Sequence, residues 1–488
     1  QALRGSQQIA RGRVMEATTR AGVTCTFRSC YDVDLIAAEV QDARVQAGRG
    51  GPEALVLRLR ITEAARALLA QPRALRFFIA AEPALARAIR LWALDRCVDV
   101  RARLLGKDGA EVSSRSLGAE AIEAVGLAEE EALIPWPELA PPGLRLCQEL
   151  FAAPDKFMFF AIKGPFVGDA SGETLELSLA LRGAEALPGA IGPANFRLHC
   201  TPVVNLFQAT AEPIKIDPLV SEHLVRVAGH RPGEVEIAEV LAVRASRGGR
   251  LDHLEIPPLH WSPAGGPPPR GDAPAYRVRR MISPIDGCVD TYLALGTADD
   301  GPPSALAGEV LHVDLLCTNR LVAGELGPGS IAREPRSGAL RFRNITPVSS
   351  PATPPAGAEL RWRLLGHLAL TYASLARPEA LRSLLSIHDL QAGTSRSAAG
   401  RIAALRTIEP SAITRLDRGA PLRGIQSRIE VDEGAFLGPG DVHLFGTILD
   451  RVLADRLTLN QFHELVIRLV PSEAELRWQA RGGGRALI

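Results

Sequence analysis

The 488-residue chain predicts a multi-domain α+β fold, strand-rich in its N-terminal and middle parts and ending in a C-terminal mixed α/β domain. Three observations predict it. Runs of period-two alternation dominate the first three quarters, Pro- and Gly-rich stretches interrupt the chain at Ser262–Pro274 and Thr346–Glu359, and helical periodicity takes over beyond the second. The length supports about three domains of roughly 150 residues, and 46% hydrophobic content supplies their cores. The pattern divides the chain into a strand-rich segment with an inserted helix over 1–198, a Pro-punctuated crossover with a small β unit over 199–265, a strand-rich middle over 275–345, and a C-terminal segment over 360–488.

In EALVLRLRI, Leu55, Leu57, Leu59 and Ile61 share one face of a half-buried strand and Arg58 and Arg60 the other; ETLELSLAL repeats this with Leu175, Leu177, Leu179 and Leu181. After the strand ALRFFI, the stripe Leu85, Ile89, Trp92 and Leu94 predicts a helix. GEVLHVDLLCT (Gly308 to Thr318) and SGALRFRNI (Ser337 to Ile345) read as further strands. Beyond Thr346–Glu359, Leu364, Leu368, Tyr372 and Leu375 fall on one helical face, Pro378 breaks the helix, and Leu381, Leu384, Leu385 and His388 continue the pattern. Trp362, at the start of this stripe, is expected to be buried against the sheet. RIAALRTIEPSAITRL and RGIQSRIEVDEGAF then read as strands, VHLFGTILDRVLADRL as a helix and HELVIRLV as a closing strand, giving the order α-β-β-α-β.

Composition excludes several function classes. A net charge of +1, from 56 basic and 55 acidic side chains, creates no field to gather nucleic acid or an anionic membrane. Arg58, Arg60, Arg76, Arg101 and Arg103 have acids interspersed and few stacking aromatics, so they read as a solvated strand face. No run approaches the roughly 20 apolar residues that span a bilayer. Seven scattered cysteines point to a reducing compartment rather than a disulfide framework. The chain opens without an initiator Met, so a preceding segment is expected.

Phosphate-binding, dinucleotide-binding, nucleophile-elbow and CxxC signatures are absent from the sequence, and His463-Glu464 lacks the second His of a zinc-protease helix. Cys25 and Cys30 have no zinc-spaced second pair and read as buried strand cysteines. His199-Cys200, with His223 near Asp217, nominally supplies a Cys/His/Asp set, but such a set is defined by geometry and not by proximity in sequence. No catalytic, cofactor-binding or metal-ligating residue is therefore expected.

Six blocks carry a family resemblance. CTPVVNLFQATAEPIKIDP (Cys200 to Pro218) resembles a hallmark segment of the TssF family of type VI secretion baseplate components, with its C-T-P-x-x-N-L-F phrase. RGRVMEATTRAGVTCTFRSCYDVDL is similar to the family's Cys-x-Phe-Arg-Thr-x-Tyr-Asp-Val region, with Ser29 in the Thr position. LCQELFAAPDKFMFF resembles its Gln-Glu-Tyr-Phe-x-x-Pro-x-Lys-Phe phrase, with Leu150 replacing an aromatic. LLCTNRL matches the Cys-Thr-Asn-Arg turn without the usual Leu-Pro. LRWRLLGHLALTYASL resembles a family helix, with Thr371 where Asn is common, and RGIQSRIEVDEGAF with LFGTILDRVLADRLTLNQF completes the series.

The resemblance implies a structural wedge subunit of a type VI secretion baseplate. Its partners would be TssG, a second copy of the chain, TssE, TssK, and sheath and hub components. Neither nucleic acid nor direct membrane insertion is implied. The location would be the cytoplasm, docked to the inner-membrane complex through baseplate partners, and the family's helical N-terminal segment would be missing here. The alternatives are a wedge protein of a contractile phage tail or related injection particle, and an enzyme without a recognisable motif. In the hallmark segment, Pro202, Pro213 and Pro218 would set the path of a crossover between domains. Val203, Val204, Leu206 and Phe207 would anchor it, and Asn205 would cap a turn.

Overall fold

The computed structural model describes residues 7–483, except 49–50, 138–139, 169–170, 218, 247–252, 260–270, 284–286, 298–305, 307, 336–339, 350–357, 369, 391–395 and 418. Strands Ala38–Gly48, Gly51–Ile61, Thr174–Leu181, Cys97–Leu105 and Glu111–Ser116 pair in that order into an antiparallel sheet. Leu55, Leu57 and Leu59 lie opposite Leu179, Leu177 and Leu175, and all six are fully buried. On the other face Glu176 sits between Arg58 and Arg103 in register, with Arg58 Nε 2.7 Å and Arg103 Nη1 3.5 Å from its carboxylate. Arg60 pairs with Glu39, while Arg76 lies over the Tyr31 ring on a different sheet. These arginines do not form one basic face.

The strand Ala74–Ile79 belongs to a second sheet with Phe159–Lys163, Ile122–Ala124 and Phe196–Arg197. The helix Pro83–Leu91 continues as a wider turn over Trp92–Arg96 and buries Ile89 and Trp92. Next comes a middle region with its own core, including Ile237, Val243, Leu293, Leu311, Val313 and Leu315. It contains a five-stranded sheet built on Val310–Thr318 and Glu236–Ser246, and a three-stranded sheet ordered Glu222–Leu224, Val289–Thr297, Pro274–Ile282. A third, small core joins Met15, Ala17, Cys25 and Phe27 to Ala323, Leu326 and Ile331.

The C-terminal part shows the expected order with more helix before the strands: Ala358–Leu368, Tyr372–Leu375, Pro378–His388 and Arg396–Ala403 precede the hairpin Leu405–Asp417 and Ala420–Asp432. The helix Pro439–Ala454 then crosses over to Gln461–Val470, which lies parallel to Ala420–Asp432 as in a βαβ unit. This helix is buried nearly all round, because Pro83–Leu91 and Pro142–Ala152 pack on it. Two glycines permit the approach: a Cβ on Gly440 would lie 2.2 Å from the Arg87 carbonyl oxygen, and one on Gly143 2.8 Å from the Val452 nitrogen. One apolar core consequently contains residues from both ends of the chain, from Cys30 to Phe196 and from Tyr372 to Leu476.

Three local expectations are corrected. SGALRFRNI forms no strand over its described residues 340–345; Asn344 instead ties a loop, donating to the Gly327 and Thr346 carbonyls, while Phe342 packs on the small core. RIAALR begins in a helix that ends at Ala403, and the strand starts at Leu405. Trp362 is not buried but 73% exposed, and Leu364 and Leu365 are exposed too. The reason is rotational: Arg363 and His367 face the helix Pro378–His388 through Ser386 and Ser383, which turns Trp362 outward. The apolar stripe is buried from Tyr372 and Leu375 onward. The linker stretches lie largely outside the described residues, and no helix among the described residues is long and apolar enough to cross a membrane.

Candidate functional site

The hallmark segment runs as an anchored crossover. Val203–Val204 pairs with Ser29 and Arg28, and Phe207–Thr210 pairs with Cys317 to Asp314. The segment thus leaves one sheet and enters another within two residues. Pro202 contributes its carbonyl to the Cys30 amide at 2.9 Å, and Thr201 Oγ1 accepts from the Tyr31 amide at 2.9 Å. Leu206 is buried, while Val203, Val204 and Phe207 are half-buried.

Asn205 bonds distant segments instead of capping its own turn. Its Oδ1 accepts from the Asn319 amide at 2.7 Å, and its Nδ2 donates to Asn319 Oδ1 at 2.8 Å and to the Thr26 carbonyl at 2.7 Å. Fully buried Asn319 also accepts from the Thr26 amide at 3.0 Å and donates to the Thr24 carbonyl at 3.3 Å. Three separate signature phrases, CTF, CTPVVN and CTNR, therefore share one hydrogen-bond knot. Arg320, next in the turn, takes φ +51°, a left-handed backbone.

A second knot holds the QELFAAPDKF phrase. Glu149 accepts from Arg145 Nη1 at 2.9 Å, Lys156 Nζ at 2.6 Å and the Leu133 amide at 2.7 Å, with all three side chains buried. Burial pulls the Lys156 pKa down and the Glu149 carboxylate opposes it. Tyr31 Oη, from the CYDV phrase, donates to the Lys156 carbonyl at 3.2 Å. A third knot joins chain ends: Asp441 bridges Arg87 Nε at 2.9 Å and Arg401 Nε at 3.0 Å in a buried triad.

The sequence-nominated nucleophile set does not assemble. His199 and Cys200 line a cleft of about 790 Å³ with Asp32, Arg73, Glu131 and other charged groups of both signs, whereas His223 pairs opposite Leu293 in the middle region. His199 accepts from the Ile36 amide at 3.3 Å, and burial lowers its pKa. Burial pushes the Cys200 thiol up to about 11, away from the reactive thiolate. Asp217 accepts from the Leu219 amide. Cys25 and Cys30 enter different cores, with thiols raised by burial to about 11 and about 12. No cluster of three metal-ligating side chains occurs among the described residues.

Sequence reasoning missed one constellation. Ser427 Oγ lies 2.9 Å from His463 Nε2, and His463 Nδ1 lies 2.8 Å from Asp450 Oδ1. Tyr372 Oη hydrogen-bonds Ser427, and Arg481 Nε donates to Asp450 Oδ2 at 2.8 Å. The order matches a Ser-His-Asp triad, but Ser427, His463 and Asp450 are all 0% exposed. Ser427 is not among the residues that line the 790 Å³ cleft. What the chain of bonds does is join the two parallel strands to their crossover helix and satisfy a buried carboxylate. No spacing in the sequence announces it, since three elements contribute one residue each.

The comparisons with known proteins agree with this geometry. The protein-family model described as type VI secretion system, TssF, matches residues 1–485. The type VI secretion system component TssF1 of Pseudomonas aeruginosa is 31% identical over 399 residues, covering 76% of this chain and 63% of that protein. The chain thus spans less than two thirds of that relative's length. A chain in the cryo-electron microscopy structure of a type VI secretion system TssK-TssF-TssG baseplate subcomplex shares the fold, with TM-score 0.77 and 24% identity over 99% of this chain and 89% of that one. A chain in a baseplate complex from the type VI secretion system gives TM-score 0.61 and 22% identity, over 99% and 83%. The match along almost the whole sequence, in a fold where the signature phrases meet, means that the chain belongs to the TssF family of the type VI secretion system.

Proposed function

We propose that the chain is a structural wedge subunit of a type VI secretion baseplate, working in the cytoplasm and docked to the inner-membrane complex through its partners. The observation that carries this reading is the family match over residues 1–485. The partners we assign are TssG, TssK, TssE, a second copy of the chain, and sheath and hub components. The work is mechanical: a wedge transmits force through domains held at fixed angles, and the Asn205–Asn319 and Arg87–Asp441–Arg401 knots supply rigid joints between distant parts of the chain. Catalysis plays no part in this reading, which the burial of Ser427, His463 and Asp450 supports.

The division into 1–198, 199–265, 275–345 and 360–488 is part of the proposal; the Pro- and Gly-rich stretches Ser262–Pro274 and Thr346–Glu359 are where limited proteolysis should cut first. Assembly is tested by native mass spectrometry of this chain co-expressed with TssG. The expected species holds two copies of the chain and one TssG. A 1:1 complex, or a chain with no affinity for TssG, would refute the two-copy wedge.

A further inference from the structure

The strand Pro274–Ile282 is the edge of its three-stranded sheet, paired on one side along its whole length with Val289–Thr297. Backbone groups of alternate residues in a strand point to opposite edges. On the outer edge, the Tyr276 amide donates to the Pro257 carbonyl at 3.0 Å, and the Tyr276 carbonyl accepts from the Leu259 amide at 2.7 Å. The odd positions turn inward, as the Ser283 amide confirms by donating to the Cys288 carbonyl across the hairpin. Val278, Arg280 and Ile282 therefore direct their amides and carbonyls outward, where they meet no backbone partner among the described residues.

Both faces of this stretch are exposed, from Arg277 to Ile282. Three apolar side chains, Val278, Met281 and Ile282, stand in solvent beside three arginines. Of Arg277, Arg279 and Arg280, only Arg279 has a carboxylate partner among the described residues, Glu222 at 2.8 Å. Arg280 reaches the Ala238 carbonyl, which fixes its side chain beside the edge without neutralising it. An open row of strand donors and acceptors takes up an extended chain. The arginines select among such chains: two copies of this edge would juxtapose like charges, whereas an acidic strand would pair with them.

We propose that Arg277–Ile282 is a docking edge for an extended acidic segment of a partner protein, added as a further strand. The occupant carries Asp or Glu opposite the arginines and apolar residues against Val278, Met281 and Ile282. This inference stands apart from the two-copy wedge and uses the chain alone.

The test measures amide hydrogen exchange in the full chain with a synthetic glutamate–valine peptide whose glutamates fall on both strand faces, and with the same peptide carrying lysine in place of glutamate. The acidic peptide should slow exchange at Val278, Arg280 and Ile282 by about tenfold or more when saturating, and weaken as salt rises. Arg277→Glu with Arg280→Glu should reverse the preference, and Arg280→Pro, which deletes an outward donor, should weaken the acidic peptide about tenfold. Absence of protection at these three amides, or equal protection by both peptides, would overturn the proposal. That comparison is made on the unmodified chain, so it decides even where a variant fails to fold.

Discussion

Asn205 and Asn319, 114 residues apart, bond to each other twice, amide to side chain at 2.7 Å and side chain to side chain at 2.8 Å. Together they satisfy backbone groups of Thr24 and Thr26 on a third segment. Replacing either by Ala strands buried donors and acceptors, and each substitution should cost about 1 to 3 kcal/mol. The double variant should cost less than the sum, because the second loss finds its partner already gone. Urea unfolding of the two single variants and the double variant measures this; strict additivity would place the two residues in separate networks.

Trp362 is a surface residue, so Trp362→Ala should change stability by less than about 0.5 kcal/mol. Trp92, 2% exposed, is the contrast: Trp92→Ala should cost about 3 to 5 kcal/mol. Calorimetric melting separates the two.

Gly440→Ala places a methyl group against the Arg87 carbonyl and should destabilise by about 1 to 3 kcal/mol or more, by separating the helices Pro83–Leu91 and Pro439–Ala454. At Gly366, in the exposed helix Ala358–Leu368, a Cβ meets nothing within 4 Å. Gly366→Ala should therefore stabilise by roughly 0.5 to 1 kcal/mol. Denaturant midpoints of the two variants should move in opposite directions.

A buried histidine, His443, and a half-buried one, His388, set an acid limit. Burial pulls His443 down to about 3, helped by the nearby Arg90, and His388 down to about 4, helped by His367 and Arg456. Both folded values lie below the unfolded one, so the stability they contribute is present above about pH 6.5 and is lost as pH falls from there toward the folded values. Within that window each histidine should remove up to about 1.4 kcal/mol per pH unit. His388→Gln should flatten the pH dependence of the unfolding free energy below pH 6.5; an unchanged slope would mean that His388 is protonated in the folded chain.

Ser427 should stay unlabelled by a fluorophosphonate probe in the folded chain, because the nucleophile position has no solvent access. Stoichiometric labelling at Ser427 would establish a reachable triad. Ser427→Ala should instead lower stability by about 1 to 3 kcal/mol, leaving His463 Nε2 and Tyr372 Oη without the hydroxyl they share.

Local pattern was sufficient wherever one element buries one face. Alternation alone placed Leu55, Leu57 and Leu59 in the core, and the 3.6-residue period located Ile89 with Trp92 and the crossover helix, because side-chain direction in a strand or helix follows from backbone geometry. The ordered signature blocks likewise carried the family. What lay beyond local pattern was every relationship between distant elements. Trp362 failed because helical period fixes a stripe but not which neighbour the helix turns toward, and here Arg363 and His367 make the hydrogen bonds to the next helix. The Asn205–Asn319 knot, the Arg87–Asp441–Arg401 bridge and the Ser427–His463–Asp450 chain join partners that lie apart in sequence, 13 positions for His463 and Asp450 and 114 for Asn205 and Asn319, and their meeting depends on how distant elements pack. The sequence by itself determined which residues seek burial and which family built this chain; tertiary structure decided which buried polar groups find one another, since a hydrogen bond acts over about 3 Å and carries no record in residue spacing.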